Sequence, residues 1–345
     1  MQADKFHPLD VEKNITVEIK FDVTGIGNAI VDVLAHADDG FLQAEGLTKG
    51  AMNLIDAEEA KSLYAKNGAV IECSGGSAAN TIAGLASLGG AGAFVGKVHD
   101  DQLGGVFRHD IRALGVTFNS APATDGAPTA TSMILVTPDA ERTMMTFLGA
   151  CVDLDAGDVD EDLIKASKIT YLEGYLWDRP GAKEAFLKAC DVAHQAGRKV
   201  SLSLSDPFCV DRHRDEFRDL AEHHVDILFA NEEEIISLYQ AADFDAALDH
   251  VRGHCEIAAL TRSEKGSVIV SGDDVHGVEA EPVAQLVDTT GAGDAYAAGF
   301  LHGLTVGQDL GLCGRMGSIC SAEVISHLGA RPEVSLKDLV EEKLG

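Results

Sequence analysis

The stretch Asp288-Thr-Thr-Gly-Ala-Gly-Asp294-Ala-Tyr-Ala-Ala-Gly-Phe300 places a glycine-rich turn directly before a run of small and apolar residues. The run predicts a helix over 292–306, so the turn forms the start of that helix. Backbone N–H groups in the first turn of a helix have no intrahelical partner, and the helix dipole favours negative charge there. Gly291, Ala292 and Gly293 are therefore predicted to bind an anion such as phosphate, which glycine lets approach closely.

Asp294 lies in the first turn of the same predicted helix. An acidic residue at this position commonly caps a helix or matches its dipole. Beside an anion site it also supplies the base that phosphoryl transfer to a hydroxyl group requires. With a reference pKa of about 3.9, the carboxylate is ionised at neutral pH and can accept a proton. We therefore predict a catalytic role for Asp294.

Elsewhere in the chain, apolar β-branched runs alternate with amphipathic stretches, which is the pattern of βαβ units around a mostly parallel sheet. The predicted strands are 21–25, 93–98, 168–173, 199–205, 226–230 and 257–261. The predicted helices are 77–88, 101–114, 181–196, 211–224, 232–239, 292–306 and 310–328. Ligands of such sheets bind beyond the carboxyl ends of the strands.

Two stretches, 34–54 and 115–150, break this alternation. The second contains TATSMILVTPDAERTMMTFLGA, which predicts two strands around a Pro-Asp turn. Because the sequence has no internal repeat or long linker, we expect one large α/β domain made of 1–33, 55–114 and 151–345. The two exceptional stretches are expected to form a small, discontinuous β-sheet lid over a pocket.

The overall charge limits the classes of partner. The chain has 27 basic and 56 acidic residues, a formal net charge of −29, which disfavours nucleic acid and anionic lipid. Its seven cysteines are odd in number and never spaced C-x-x-C, which predicts reduced thiols in a cytoplasmic protein rather than disulfides or a zinc site. The first residues do not form a signal peptide, and no run of about 18 apolar residues predicts a membrane span.

Three motifs together resemble the PfkB, or ribokinase-like, family of carbohydrate and nucleoside kinases. They are D-T-T-G-A-G-D at 288–294, Ser74-Gly-Gly-Ser-Ala-Ala-Asn80 with the Phe94–Gly104 segment after it, and Asn231-Glu-Glu-Glu234. The resemblance implies a three-layer α/β/α fold with a mostly parallel central sheet and a small β-sheet lid. It also implies ATP and Mg²⁺ as cosubstrate and cofactor, with Asp294 as the base.

The resemblance implies further residues for the nucleotide and for ions. Asn231 and Glu234 match the N-x-x-E motif that tunes Mg²⁺ and phosphate binding, through water. The loop from Thr261 through Arg262 to Gly266 is similar to the loop over the ATP phosphates, and Ala322 falls near the adenine pocket, with Cys320 and His327. Asp288 and Thr290 fit half of a monovalent-cation site, implying K⁺.

The resemblance also implies an acceptor site around Asp32, because the family has at this strand end an acid that binds substrate hydroxyls, and one carboxylate can accept from both hydroxyls of a vicinal diol. Gly75, Gly76 and Asn80 would approach the sugar, and Arg142 follows a lid turn where the family places a basic residue near the transferred phosphate. Asn28 before Asp32 is more similar to the adenosine kinases of the family than to the ribokinases. The segments Leu172–Trp177 and Ser203–Phe208 support the same view, with Tyr175 and Phe208 able to stack on a purine.

Several alternatives stay open on sequence alone. A sugar kinase of the same family, acting on ribose or fructose, would share every catalytic residue. A non-catalytic nucleoside sensor is disfavoured because a sensor needs no base. A Rossmann oxidoreductase is disfavoured because Gly25-Ile-Gly-Asn28 lacks the third glycine of the dinucleotide fingerprint. The sequence leaves a monomer and a homodimer equally open.

Overall fold

The computed structural model describes residues 17–139 and 141–345. The strands are β1 Phe21–Ile26, β2 Ile30–His36, β3 Met52–Leu54, β4 Ile71–Gly75, β5 Gly92–Val95, β6 Ala130–Val136, β7 Arg142–Phe147, β8 Ser167–Glu173, β9 Lys199–Ser203, β10 Ile227–Asn231, β11 Ile257–Thr261, β12 Ser267–Ser271 and β13 Asp274–Val278. The α-helices are α1 Asp39–Ala44, α2 Ala57–Lys66, α3 Ser77–Ser87, α4 Gln102–Ala113, α5 Glu161–Lys165, α6 Pro180–Gln195, α7 Pro207–His223, α8 Glu232–Tyr239, α9 Phe244–Val251, α10 Ala292–Thr305, α11 Leu310–Val324 and α12 Leu336–Leu344.

Eight strands form the large sheet in the order β13-β12-β11-β10-β9-β8-β1-β5. The pairs from β11 to β5 are parallel, and β12 and β13 add an antiparallel edge. The mostly parallel sheet predicted from the βαβ pattern is therefore confirmed.

Helices cover both faces of this sheet because its strands are apolar on both sides. Along β8, Ile169 and Tyr171 pack into one hydrophobic cluster with α3 and α10, whereas Leu172 packs into the other cluster with α6. The result is the expected three-layer α/β/α arrangement.

A second sheet has five strands in the order β3-β7-β6-β2-β4. The hairpin of β6 and β7 around Pro138 and Asp139 agrees with the turn expected from the sequence. The sheet takes in more of the chain than the predicted lid, because β2 begins at Ile30 and pairs with β4, which the prediction gave to the large domain. Asp32 therefore lies on the small sheet rather than on the large one.

Helices α3 and α10 pack closely, and this contact positions the site. A Cβ atom on Gly84 would lie 2.8 Å from the Cβ of Ala298, so only small residues allow the approach. The run of small residues after Asp294 therefore brings the start of α10 against the start of α3.

Two global expectations can be compared with the described residues. All seven cysteines are free thiols. Within 17–139 and 141–345, no helix has the length and apolar character needed to cross a membrane.

Candidate active site

Asp294 is held between α10 and α3. Its Oδ1 accepts a hydrogen bond from Ser77 Oγ at 2.6 Å, and its Oδ2 accepts one from Asn80 Nδ2 at 3.0 Å. Ser77 and Asn80 are three residues apart on α3, so both face the same side of that helix. The carboxylate is thus fixed in position at the end of the glycine-rich turn.

Burial raises the pKa of Asp294 to about 6, against the opposing effect of the bonds from Ser77 and Asn80 and of the nearby Arg331. A carboxylate with this pKa is ionised at neutral pH and is a better proton acceptor than an exposed aspartate. The arrangement therefore suits a general base.

Asp32 projects from the small sheet toward the same site. Burial raises its pKa to about 6, and Arg331 and Arg142 oppose that rise. No hydrogen bond from the described residues is among the causes of this pKa shift, so the Asp32 oxygens remain available as acceptors. A Cβ atom on Gly75 would lie 2.3 Å from Asp32 Oδ2, so the glycine makes room for the carboxylate.

The face of the small sheet that carries Asp32 has a polar row and an apolar row, because paired residues of neighbouring strands share a face. Asp32 pairs with Ser132, and Ser132 pairs with Thr146, whose hydroxyl lies 3.1 Å from that of Ser132. The next row crosses all five strands and consists of Ile71, Leu34, Ile134, Met144 and Met52. An apolar surface thus lies directly beside the carboxylate.

Gly76 forms the turn between β4 and α3 with φ +97°. A Cβ atom there would lie 2.1 Å from the Asn28 carbonyl oxygen, so the position requires glycine. Asn28 does not project freely into the pocket. Its Nδ2 donates to Glu173 Oε1 at 2.7 Å, and Glu173 Oε2 also accepts from the N–H of Ala78 at 2.8 Å. Glu173 therefore ties the β1–β2 turn to the start of α3, and burial raises its pKa to about 7.

The predicted anion turn forms, with one correction. Gly291 caps α10 with φ +75°. The N–H of Ala292 donates to the Thr289 carbonyl at 3.2 Å, because the turn closes on itself, so Ala292 does not offer its N–H to an anion as predicted. The N–H groups of Gly291 and Gly293 have no acceptor in the described part of the chain.

Arg142 spans from the small sheet to the anion turn. Its Nη2 lies 2.6 Å from Asp288 Oδ1 and also contacts Thr290 Oγ1. The two Asp288 oxygens accept further bonds from the N–H groups of Thr290 and Gly329, at 2.8 and 2.9 Å. Because a guanidinium and two N–H donors already satisfy this carboxylate, Asp288 and Thr290 do not fit the predicted monovalent-cation site.

Asn231 and Glu234 satisfy each other as a capping box at the start of α8. Asn231 donates to Glu234 Oε1 through Nδ2 at 2.6 Å and to Oε2 through its N–H at 2.9 Å, and Glu234 N–H donates to Asn231 Oδ1 at 2.8 Å. Burial raises the pKa of Glu234 to about 7. The pair fits Mg²⁺ only through water, and the described residues contain no cluster of three or more His, Cys, Asp or Glu able to hold a metal directly.

The predicted nucleotide residues separate into two groups. Thr261 pairs with Asn231 at the carboxyl edge of the large sheet, where a ligand is expected, and Gly266 follows it with φ +81°. Arg262 is less available than predicted, because its Nη2 donates to Glu232 Oε1 at 2.9 Å and its guanidinium lies 3.9 Å from the Phe244 ring centroid.

The residues predicted near an adenine pocket lie on and after α11. Ala322 is 8% exposed and Cys320 is fully buried in a core cluster, so Cys320 cannot contact a nucleotide. His327 follows α11, and its Nε2 lies 3.2 Å from Glu323 Oε1, which orients the ring back toward that helix.

The two predicted aromatic residues also differ. Tyr175 is 41% exposed but lies near the site, since partial burial raises its pKa and the charges of Asp206 and Asp294 raise it further. Phe208 is 67% exposed, and the guanidinium of Arg212 lies 4.5 Å from its ring centroid. Phe208 therefore packs against Arg212 on the surface rather than beside the carboxylates of the site.

The family follows from comparison with known proteins. The model of the pfkB family carbohydrate kinases matches residues 46–336. The chain belongs to this family. A probable fructokinase-6, chloroplastic, from Arabidopsis thaliana is 31% identical over 291 residues, which are 78% of this chain and 74% of that protein. The chain is thus a phosphotransferase that acts on a hydroxyl group of a sugar or a nucleoside.

Two solved structures are more similar to this PfkB kinase. A protein described as adenosine kinase from Sinorhizobium meliloti is 52% identical, with a TM-score of 0.87 over 94% of this chain and 99% of that one. A probable sugar kinase from Rhizobium etli CFN 42 is 51% identical, with the same TM-score and coverage. These likenesses establish the ribokinase-like fold.

Four of the predicted PfkB site residues have a buried polar atom without a partner among the described residues: Asn28 Oδ1, Asn80 Oδ1 and Arg142 Nη1 near the two aspartates, and Arg262 Nε at the carboxyl edge of the large sheet. Buried polar atoms are normally hydrogen-bonded, so unpaired ones call for an explanation. The two acceptors and the cationic donor near the aspartates complement the hydroxyl groups of an acceptor and the oxygens of a phosphate.

Three residues of the site were not predicted from the sequence: Ser77, Glu173 and Arg331. Ser77 could have been found from its spacing of three residues from Asn80. Glu173 could have been noticed as a carboxylate at the end of a buried strand. Arg331 follows α11 without a motif, and only the fold places it at the site.

Proposed function

We propose that the protein transfers the γ-phosphoryl group of ATP to the 5′-hydroxyl of adenosine, giving AMP and ADP. The observation that carries the proposal is the position of Asp294, whose carboxylate is fixed by Ser77 and Asn80 at the end of the anion turn and carries a raised pKa. A base for a hydroxyl and a site for phosphate charge thus lie next to each other.

In this proposal Asp294 accepts the proton of the 5′-hydroxyl as the phosphoryl group is transferred. The free N–H groups of Gly291 and Gly293 donate to the oxygens of the migrating phosphoryl group. Their partial positive charges therefore lie where negative charge develops. Arg142 adds the unpartnered Nη1 from the side of the small sheet. Bound Mg²⁺ would neutralise the charge of the nucleotide phosphates, and Asn231 and Glu234 would contact it through water.

Asp32 is proposed to accept from the 2′- and 3′-hydroxyls of the ribose. Its oxygens accept no bond from the described residues, and Gly75 leaves space against them. The Oδ1 atoms of Asn28 and Asn80 are two further acceptors for hydroxyl groups. Closure of the small sheet would exclude water and so limit hydrolysis of ATP.

The apolar row beside Asp32 supports a nucleoside over a free sugar. Leu34 and Met144 are partly exposed and lie next to the carboxylate on the same face of the sheet, with the buried Ile134 between them, where a free sugar would place only hydroxyl groups. A purine attached to the ribose would cover this surface and be stabilised by its burial. The 52% identity to a protein described as an adenosine kinase supports the same acceptor.

A sugar kinase is the second candidate. The curated relatives favour it, since they include the Arabidopsis protein and an ATP-dependent ribose-1-phosphate kinase from Halopiger xanaduensis that is 31% identical over 263 residues. The catalytic residues are the same in both cases, so only the acceptor distinguishes them.

The test is a coupled assay of ADP release with Mg-ATP and adenosine, inosine, guanosine, ribose, fructose or no acceptor. Strong release with adenosine and little with the sugars is expected. A matched control is 5′-deoxyadenosine, which keeps the base and the diol but lacks the acceptor hydroxyl, and it should give no release above background. Release with ribose or fructose alone would keep the mechanism and refute the nucleoside acceptor.

A further inference from the structure

Arg331 lies in a segment that borders both halves of the site. Gly329, two residues earlier, donates its N–H to Asp288 Oδ2 at 2.9 Å, and Ala330 packs so closely that a Cβ on Gly291 would lie 2.6 Å from its own Cβ. The segment 329–330 thus packs against the anion turn. Arg331 then extends from it to the turn between β4 and α3.

The guanidinium of Arg331 clamps that turn. Its Nε and Nη2 donate to the Ser74 carbonyl at 3.1 and 2.7 Å, and Nη2 also donates to Ser74 Oγ at 3.0 Å. Nη1 donates to the Ala79 carbonyl at 3.0 Å. Ser74 and Ala79 stand on the two sides of Gly75 and Gly76, so one planar group fixes both ends of the turn.

All of these acceptors are neutral. No carboxylate oxygen of the described residues lies within 4.0 Å of the Arg331 nitrogens, although burial of a cation is costly without a compensating charge. A neutral amide could donate to the same carbonyl oxygens. The positive charge therefore calls for a separate explanation, and three carboxylates lie further out: Asp32, Asp294 and Asp110.

The field of Arg331 lowers the pKa of both Asp32 and Asp294 against the effect of burial. Asp110 is already engaged, because its Oδ2 accepts from the N–H and the hydroxyl of Ser74 at 2.7 and 2.6 Å. Asp294 also raises the pKa of Asp32, because their negative charges repel each other across the site. A nearby cation that bonds neither of them reduces this repulsion and leaves their oxygens free.

We infer that Arg331 is a positioning residue of this site, which clamps the Gly75–Gly76 turn and supplies the positive charge that lets Asp32 and Asp294 face one pocket as carboxylates. The inference rests on the proposed function, in which Asp32 binds the acceptor and Asp294 receives its proton. Other titratable groups facing these two acids are Cys73 on β4, Arg142 on β7, Tyr171 and Glu173 on β8, and Tyr175 after β8.

The test is the dependence of kcat/KM on pH for three variants. Arg331→Gln keeps donors but removes the charge, so the acid limb of the profile, expected near pH 6 in the unmodified protein, should move up by about one pH unit. Arg331→Lys keeps the charge and loses the planar fork. Its acid limb should stay in place while KM for the acceptor rises about fivefold or more, because the turn is no longer clamped.

Arg198→Gln is the matched control. Arg198 also bridges two backbone carbonyls, of Lys165 and Val17, both at 2.9 Å. It directly precedes β9, so it lies at the amino ends of the parallel strands, opposite the carboxyl ends where a ligand is expected. Its profile should superimpose on that of the unmodified protein. An unshifted acid limb in Arg331→Gln, or an equal shift in Arg331→Lys, overturns the inference. If Arg331→Gln does not fold, a normal KM in Arg331→Lys overturns the clamp.

A second readout separates this inference from the proposed function. If no acceptor in the panel gives ADP release, the proposed function fails, and the melting temperature between pH 5 and 8 decides the role of Arg331. Because the folded pKa values of Asp32 and Asp294 exceed the unfolded value, these two groups lower stability as pH rises toward about 6, and Glu173 and Glu234, with pKa values of about 7, continue the fall in every variant. Arg331→Gln should therefore lose more stability than Arg198→Gln between pH 6 and 8, and parallel curves for the two variants overturn the inference.

Discussion

Replacing Asp294 by asparagine separates catalysis from folding in this kinase. The amide cannot accept the hydroxyl proton, so turnover with saturating adenosine should fall by about 10²–10⁴-fold, the usual contribution of a general base. Both bonds at this position can be kept. The introduced amide oxygen can accept from Ser77, and its NH₂ can donate to the Oδ1 of Asn80, which has no partner among the described residues, once that side chain turns.

The same change should leave stability equal or higher at pH 8. Burial raises the pKa of Asp294 from 3.8 to about 6, which corresponds to about 3 kcal/mol of folding free energy lost when the group is ionised. Partial exposure to solvent reduces that figure, so a gain of about 1–2 kcal/mol in the free energy of unfolding is expected at pH 8. The gain should shrink below pH 5, where the native carboxyl is protonated.

The assay combines ADP release, calorimetric binding of adenosine and urea unfolding at pH 8 and pH 5. Asp309→Asn is the matched control, because Asp309 caps the neighbouring helix α11 through the N–H of Leu312 at 2.9 Å and has no place in the site. It should leave turnover and stability nearly unchanged. If Asp294→Asn keeps turnover within tenfold of the unmodified protein, Asp294 is a helix-start residue like Asp309, and the mechanism is refuted.

Three further predictions address other parts of the site. Met144→Gln should raise KM for adenosine about tenfold with little change in kcat, because it places an amide in the apolar row; an equal loss with ribose would contradict this in steady-state kinetics. Replacing K⁺ by tetramethylammonium at constant ionic strength should change kcat less than about twofold, since Arg142 already satisfies Asp288; a strict K⁺ requirement would show otherwise. Gly76→Ala should cost about 2–4 kcal/mol in urea unfolding, because φ is +97° and the Asn28 carbonyl blocks the Cβ, whereas Gly197→Ala, at φ +68° with open space, should cost about 1 kcal/mol.

Elements with strong local patterns were predictable from sequence. The helix at 232–239 and the strand at 257–261 have the predicted bounds, because a capping box and a short apolar run define them. In the small sheet, the hairpin of β6 and β7 was predicted, whereas β2, β3 and β4 were missed. β3 has three residues, and β4 contains Ser74 and Gly75, so neither has a hydrophobic pattern that single-sequence reasoning detects.

The site was predictable as far as its motifs extend. The turn 291–293 and Asp294 lie together because they are adjacent in sequence, and Asn80 joins them through the packing of α3 against α10. The pairing of Arg142 with Asp288 was not predictable, because it joins residues 146 positions apart, one on the small sheet and the other in the turn before α10. The capping box of Asn231 and Glu234 shows the converse, since a motif expected near metal also has a complete structural explanation.

The central claim is phosphorylation of the 5′-hydroxyl of adenosine, and competition tests it most directly. Adenosine, ribose and fructose at equal concentrations are incubated with limiting Mg-ATP, and the phosphorylated products are separated by mass spectrometry, so their ratio reports relative kcat/KM. The account predicts AMP as the dominant product. A sugar phosphate in excess over AMP would contradict it.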